Sequence, residues 1–78
     1  MKLVEKTAHG EFKWQEVFEV ESLQAFADKC NANLKIMFSG KEPRERFYLI
    51  ADHVEYWDSK GRLVYSFYIC KGPPYKLL

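Results

Sequence analysis

Apolar and polar positions recur with two different periods along this chain, and each change of period marks an element. Lys2 to Thr7 shows weak alternation and predicts a short strand, followed by a turn at His9-Gly10. From Glu11 to Val20, Phe12, Trp14, Phe18 and Val20 fall on one parity. Lys13, Gln15 and Glu19 fall on the other, with Val17 the exception. Period two of this quality predicts a half-buried strand, with Glu16 reaching water from its edge. The period then lengthens. Leu23, Phe26, Ala27 and Cys30 are spaced i, i+3, i+4, i+7 and make one helical face. Ser22 suits the N-cap, and Asn31 and Asn33 can end the helix in a left-handed conformation. A helix of about ten residues is roughly 15 Å long and too short to stand alone, so it must dock on a sheet.

Leu34 to Phe38 returns to alternation and predicts a third strand, and Ser39 to Glu45 reads as a charged loop. Arg46 to Trp57 reads as one long strand with a bulge near Asp52, because Ala51-Asp52 is a poor two-residue turn. The bulge would place Phe47, Leu49 and Ala51 on one face with Val54 and Tyr56. The strongest local signal lies between His53 and Ile69. Two aromatic and β-branched runs flank Asp58-Ser59-Lys60-Gly61, whose Asp and Gly suit a type I turn with a left-handed glycine. Arg62 to Cys70 completes that hairpin, Lys71-Gly72-Pro73-Pro74 ends the strand, and Tyr75 to Leu78 is a short tail. The expected order is β-β-α-β-β-β in a single compact domain over residues 1–78. The fold class is α+β: one antiparallel sheet of four to six strands with one short helix on one face.

Composition adds that the domain can fold unaided. A chain of 78 residues buries only about 60–65% of its unfolded surface. Its 47% hydrophobic and 17% aromatic content compensates and makes a structural metal unnecessary. Cys30 and Cys70 form neither a close metal-binding pair nor a disulfide framework, and whether they are bonded is open. Met1 opens the chain without a basic-then-apolar leader, and no apolar run could span a bilayer. The expectation is a cytoplasmic protein with free thiols and no membrane partner. Twelve basic against eleven acidic residues give a net charge of +1, which is neither the footprint of a nucleic-acid binder nor an acidic decoy.

The candidate chemistry is sparse. His9 and His53 lack a ligand pair, and adjacent Asp52 and His53 would point to opposite faces of a regular strand. Cys30 sits on the apolar helix face, and Cys70 precedes Lys71, a neighbour that could lower the pKa of an exposed thiol. Ser39-Gly40-Lys41 lacks phosphate-loop spacing, and Gly72-Pro73-Pro74-Tyr75 narrowly fails as a polyproline ligand. No catalytic residue, metal or cofactor is assigned, and the chain is not expected to be an enzyme. A sheet with exposed aromatics flanked by Lys35, Arg46, Arg62 and Lys71 could bind nucleic acid. Arg46 to Ala51, however, lacks the glycine-aromatic pattern of the common RNA-binding sheet.

The surplus of apolar positions carries the functional expectation. Val54, Tyr56, Val64 and Tyr68 share one parity of the hairpin; Trp57, Leu63, Tyr65, Phe67 and Ile69 share the other. A five-stranded sheet is about 24 Å wide and a helix covers about 10 Å, so one helix cannot cover both faces. Either the sheet curls around its helix, or an aromatic surface is left for a partner. The reading is a small, cofactor-free intracellular protein-binding module, of the inhibitor or adaptor type made by phages and mobile elements. Trp57, Tyr65 and Phe67 would be its aromatic anchors, with Arg46 and Arg62 as rim charges. The partner would be another protein or a second copy of the chain; nucleic acid is the alternative.

Overall fold

The chain threads a five-stranded antiparallel sheet whose spatial order places its first strand near the middle. The structure, a computed structural model, describes residues 1–37 and 45–71. Strands β1 (Lys2–Thr7), β2 (Phe18–Glu19), β3 (Arg46–Ile50), β4 (His53–Trp57) and β5 (Leu63–Cys70) lie in the order β2-β1-β5-β4-β3. Helix α1 (Leu23–Met37) packs on one face, mainly over β3. Among the described residues the fold is therefore α+β, with a single sheet and one α-helix. Ser39-Gly40-Lys41, Phe38 and the Gly72-Pro73-Pro74-Tyr75 segment lie outside the described residues.

The order β-β-α-β-β-β holds, but not with the expected strands. Leu34 is buried in the last turns of α1 and continues the stripe of Leu23, Phe26, Ala27 and Cys30 at i+4. The expected strand from Leu34 is thus helix as far as Met37. Asn31 and Asn33 do not end α1, which runs for 15 residues. Asn31 is kept in mid-helix by a tertiary bond pair: Phe47 N–H donates to its Oδ1 (2.8 Å) and its Nδ2 donates to Phe47 C=O (2.9 Å). That amide supplies the partner the edge strand β3 lacks at Phe47. At the other end Ser22 does cap, its Oγ accepting from Ala25 N–H at 3.0 Å.

The lost strand is replaced by an extra hairpin. Residues 46–57 are not one bulged strand: β3 and β4 pair antiparallel from Arg46↔Trp57 to Ile50↔His53, with Ala51-Asp52 as the turn. Ala51 takes a positive φ of 53°. Hairpin turns of both primed types require this at their first central residue, usually from glycine or asparagine. Ten residues of ladder pay that strain, which is why the local residue preference misleads.

Glu11 to Val20 is also interrupted. Phe12 bridges Lys6, a 3-10 turn occupies Trp14–Glu16, and only Phe18–Glu19 rejoin β1. Glu16 lies exposed in that turn. The turn switches faces: Phe18 pairs with Leu3, whose side chain is in the core beneath α1, whereas Phe12 pairs with Lys6 on the opposite face. Residues of one parity therefore end on two sides. The β4–β5 hairpin does the same, since Val54 pairs with Phe67 and Tyr56 with Tyr65. Even positions of β4 share a face with odd positions of β5, so pooling both strands by parity mixes the faces.

The Asp58–Gly61 turn forms as expected. Gly61 N–H donates to Asp58 C=O (3.0 Å), Gly61 has a φ of 75°, and the β4–β5 register shifts beside it. Under α1, Leu3, Ala27, Val54 and Phe67 form the buried core. Phe26 meets Phe67 edge-on at 4.9 Å, and Phe47 lies 4.7 Å from Tyr56. Full burial of such a ring is worth about 2–3 kcal/mol, a value that Phe67 approaches and the partly buried Phe26, Phe47 and Tyr56 fall short of.

Candidate binding surface on the outer sheet face

Opposite the helix, the outer face divides into a covered half and an open half. Over β1 and β5, Phe12 stacks on Trp14 (5.3 Å) and meets Tyr68 edge-on (6.0 Å). Lys6 lies over the Phe12 and Tyr68 rings. On this side Val4, Ser66 and Cys70 are buried. Over β3 and β4 the face carries Arg46, Tyr48 and Ile50 paired with Trp57, Glu55 and His53. Here Tyr48 and Ile50 are 42% and 43% exposed, which makes this half the more open one among the described residues, although a smaller groove also lies beside Lys6, Leu63 and Ser66 on the other half. An open groove of about 450 Å³ runs between Tyr48, Ile50, Glu55, Trp57 and Asp58 and reaches Ser59 and Gly61 of the turn.

A hydrogen-bonded row organises this half. His53 Nδ1 lies 3.1 Å from Asp52 Oδ1 and its Nε2 lies 3.0 Å from Glu55 Oε2. Carboxylates only accept, so both ring nitrogens donate when the ring is an imidazolium. Burial opposes the charged ring, but the bonds to Glu55 and Asp52 outweigh it and hold the His53 pKa above the ordinary histidine value. The same bonds hold Asp52 and Glu55 below the usual carboxylate range. Asp52 and His53 can meet because Asp52 is in the turn and not in the strand. The imidazole stacks on Tyr68 at 4.9 Å. Glu55 also accepts from Trp57 Nε1 (3.1 Å), which fixes the indole. Asp58 accepts from the backbone of Arg62 and Lys60 and from Arg62 Nε, and these bonds keep its carboxyl low.

The five residues singled out from the sequence do not form one patch. Trp57 lies in the groove, and Arg46 stands opposite it on β3. Tyr65 is on the helix face, stacked on Tyr56 at 5.7 Å and 37% exposed. Phe67 is only 6% exposed and belongs to the core, so it is not a surface anchor. Arg62 is exposed and pairs with Asp58. Tyr48, Ile50, His53 and Glu55, which are not among the five, share the outer β3–β4 face with Trp57. Their signal was present: once 46–57 folds back at Ala51, alternate residues of both halves reach the outer face.

The remaining chemistry is limited. Tyr56 donates its hydroxyl to Glu45, a bond that, with burial, pushes its pKa up to about 12. Cys30 and Cys70 are both free thiols, and burial raises the Cys30 pKa. Among the described residues no group of three or more His, Cys, Asp or Glu could hold a metal, and no helix is long and apolar enough to cross a membrane. Compared with known proteins, the chain matches no family model, no curated protein and no solved structure.

Proposed function

We propose that this protein is a small binding module that engages another protein chain through the β3–β4 half of its outer face. The observation that carries the reading is the division of that face. Phe12, Trp14 and Tyr68 cover one half, while Tyr48, Ile50 and Trp57 border an open groove on the other. Exposed aromatics beside fixed polar groups are the composition of interface centres. The surface needs no cofactor, and masking part of a partner, as an inhibitor or adaptor does, suits it. Action inside the cell is part of the proposal, supported by the two free thiols. Nucleic acid is less well supported, because the charged residues lining the groove are Glu55 and Asp58.

Site-specific photo-crosslinking in the source cell tests this reading. A crosslinker at exposed Tyr48 should give a defined adduct, and one at Gln24, exposed on the helix, should not. Tyr48→Glu combined with Ile50→Glu should abolish partner capture from other positions on the face while leaving the circular dichroism spectrum unchanged. Equal patterns from positions 48 and 24, or no adduct from 48, would overturn it. Light scattering separates a foreign partner from a second copy.

A further inference from the structure

We propose that the partner inserts a basic side chain, a lysine or an arginine, between Tyr48 and Trp57 over the carboxylates of Glu55 and Asp58. This deepens the binding reading above by naming the partner's chemistry, and it rests on that reading.

The argument starts from the lining of the groove. Two aromatic rings, one aliphatic side chain and two carboxylates meet there; among the described residues no Lys, Arg or His contributes to the lining itself, and Arg62 reaches the Asp58 carboxylate from outside it. Ring faces attract cations. Ile50 offers an apolar bed for the methylene stem that Lys and Arg both carry. The carboxylates offer charge-assisted hydrogen bonds to its tip. Other occupants fare worse on the same surface. An aliphatic side chain would strip water from Glu55 and Asp58 without replacing it. An acidic segment or a phosphate would meet like charge.

The site is also partly preorganised. Trp57 Nε1 is bonded to Glu55, so one aromatic wall is already held in place. Asp58 is held by its own turn, through the backbone of Lys60 and Arg62. The bonds from His53 and then Trp57 hold Glu55 below the usual carboxylate range, and the backbone bonds from Arg62 and Lys60 do the same for Asp58.

Two groups compete with the incoming cation: Arg62, whose Nε already donates to Asp58 Oδ2 at 3.1 Å, and His53. His53 shares the charge of Glu55. It faces Asp52 and Glu55 on its own hairpin, Ile50 across β3 and the Tyr68 ring on β5, with Lys6 of β1 5.7 Å from that ring. When His53 loses its proton, Glu55 is freed for the partner's cation. Affinity for a basic side chain therefore rises as pH climbs through the His53 titration.

Nitrogen–proton correlation spectra of the full chain provide the test, read at the Trp57 indole with the Trp14 indole as the internal control. The probes are the Nα-acetyl methylamides of lysine, arginine, norleucine and glutamate. The lysine and arginine derivatives should move Trp57 and leave Trp14 in place. They should bind roughly three- to tenfold tighter than the neutral norleucine derivative, the range of a partly exposed cation–aromatic contact. Tyr48→Ala, at an exposed position, should remove most of that preference, and binding should tighten as His53 deprotonates. Equal binding of lysine, norleucine and glutamate derivatives would overturn the inference, as would equal shifts at Trp14 or a flat pH profile. If position 48 crosslinks a partner while the basic probes leave Trp57 unmoved, the inference falls and the binding surface stands. If the probes bind Trp57 but position 48 captures nothing, the cation site stands and the protein-binding reading falls.

Discussion

Replacing Ala51 by glycine should stabilise the protein, and the sign of that change distinguishes two topologies. Ala51 is exposed and holds a φ of 53° at the head of the β3–β4 turn. For a residue with a Cβ, a left-handed backbone costs roughly 1–2 kcal/mol. Glycine removes that strain but returns about 0.4–1 kcal/mol through the greater freedom of the unfolded chain. The net expectation is a gain of about 0.5–1 kcal/mol. Unfolding entropy is about 2.1 cal/mol/K per residue, or about 0.16 kcal/mol/K for this chain, so Tm should rise by about 3–6 °C. Differential scanning calorimetry at a fixed concentration measures this, and urea titration should show a higher midpoint at unchanged slope. If residues 46–57 formed a continuous strand, glycine at 51 would instead destabilise by about 0.5–1 kcal/mol. A fall in Tm of that size would refute the two-residue turn and with it the register that places Tyr48 beside Trp57.

Other perturbations address separate parts of the structure. Asn31→Ala removes both bonds to the Phe47 backbone and should cost about 1–2 kcal/mol; hydrogen exchange should show the Phe47 amide losing protection ahead of its neighbours in β4. Gly61→Ala meets nothing within 4 Å, so its cost is the backbone alone, about 1–2 kcal/mol at a φ of 75°, measurable by urea titration. His53 should titrate above the unfolded value of about 6.5 when its ring protons are followed by NMR. Because its folded pKa is raised, the stability it adds is fully present below the unfolded value and is lost as pH rises through the folded one. The stability difference between the native chain and His53→Gln should therefore shrink across that window, and a difference that grows with pH would contradict the two-carboxylate cradle. Tyr56 should remain protonated until about pH 12, as ultraviolet titration would show, and Glu45→Gln should bring it down.

Where the fold was legible, local and tertiary forces agreed. The Asp58–Gly61 turn carries its instructions in two residues, and Ser22 with the stripe from Leu23 to Cys30 states the start and face of α1. Where it was not, a tertiary contact overrode a local preference. Asn31 looked like a stop, but its amide is used by Phe47, which lies 16 residues away. Ala51 looked unfit for a tight turn, but the ladder on both sides holds it there. Those two errors cancelled in the count of strands, so the right order arose from partly wrong elements. The candidate site suffered more, because its face assignments depend on two turns. The 3-10 turn at Trp14–Glu16 and the Ala51-Asp52 turn each decide which alternate residues point outward. Trp57 does border the open groove, at a position that any reading leaves near the surface; Phe67 was misassigned because parity alone cannot say which side the helix takes.

The place of β1 between β2 and β5 has a consequence for the birth of the molecule. Leu3 pairs with Ile69, and Lys2 with Cys70, so the two most distant parts of the described chain meet in the centre of the sheet. The meander from β3 to β5 closes only short loops, whereas seating β1 closes almost the whole chain, and loop closure of that span is slow. During synthesis, Leu3 and Val4 emerge before every other strand of the sheet and wait longest for the one that completes their burial. Until residue 70 has left the ribosome, the edge of β1 that faces β5 stays open, the kind of surface that nascent-chain chaperones hold.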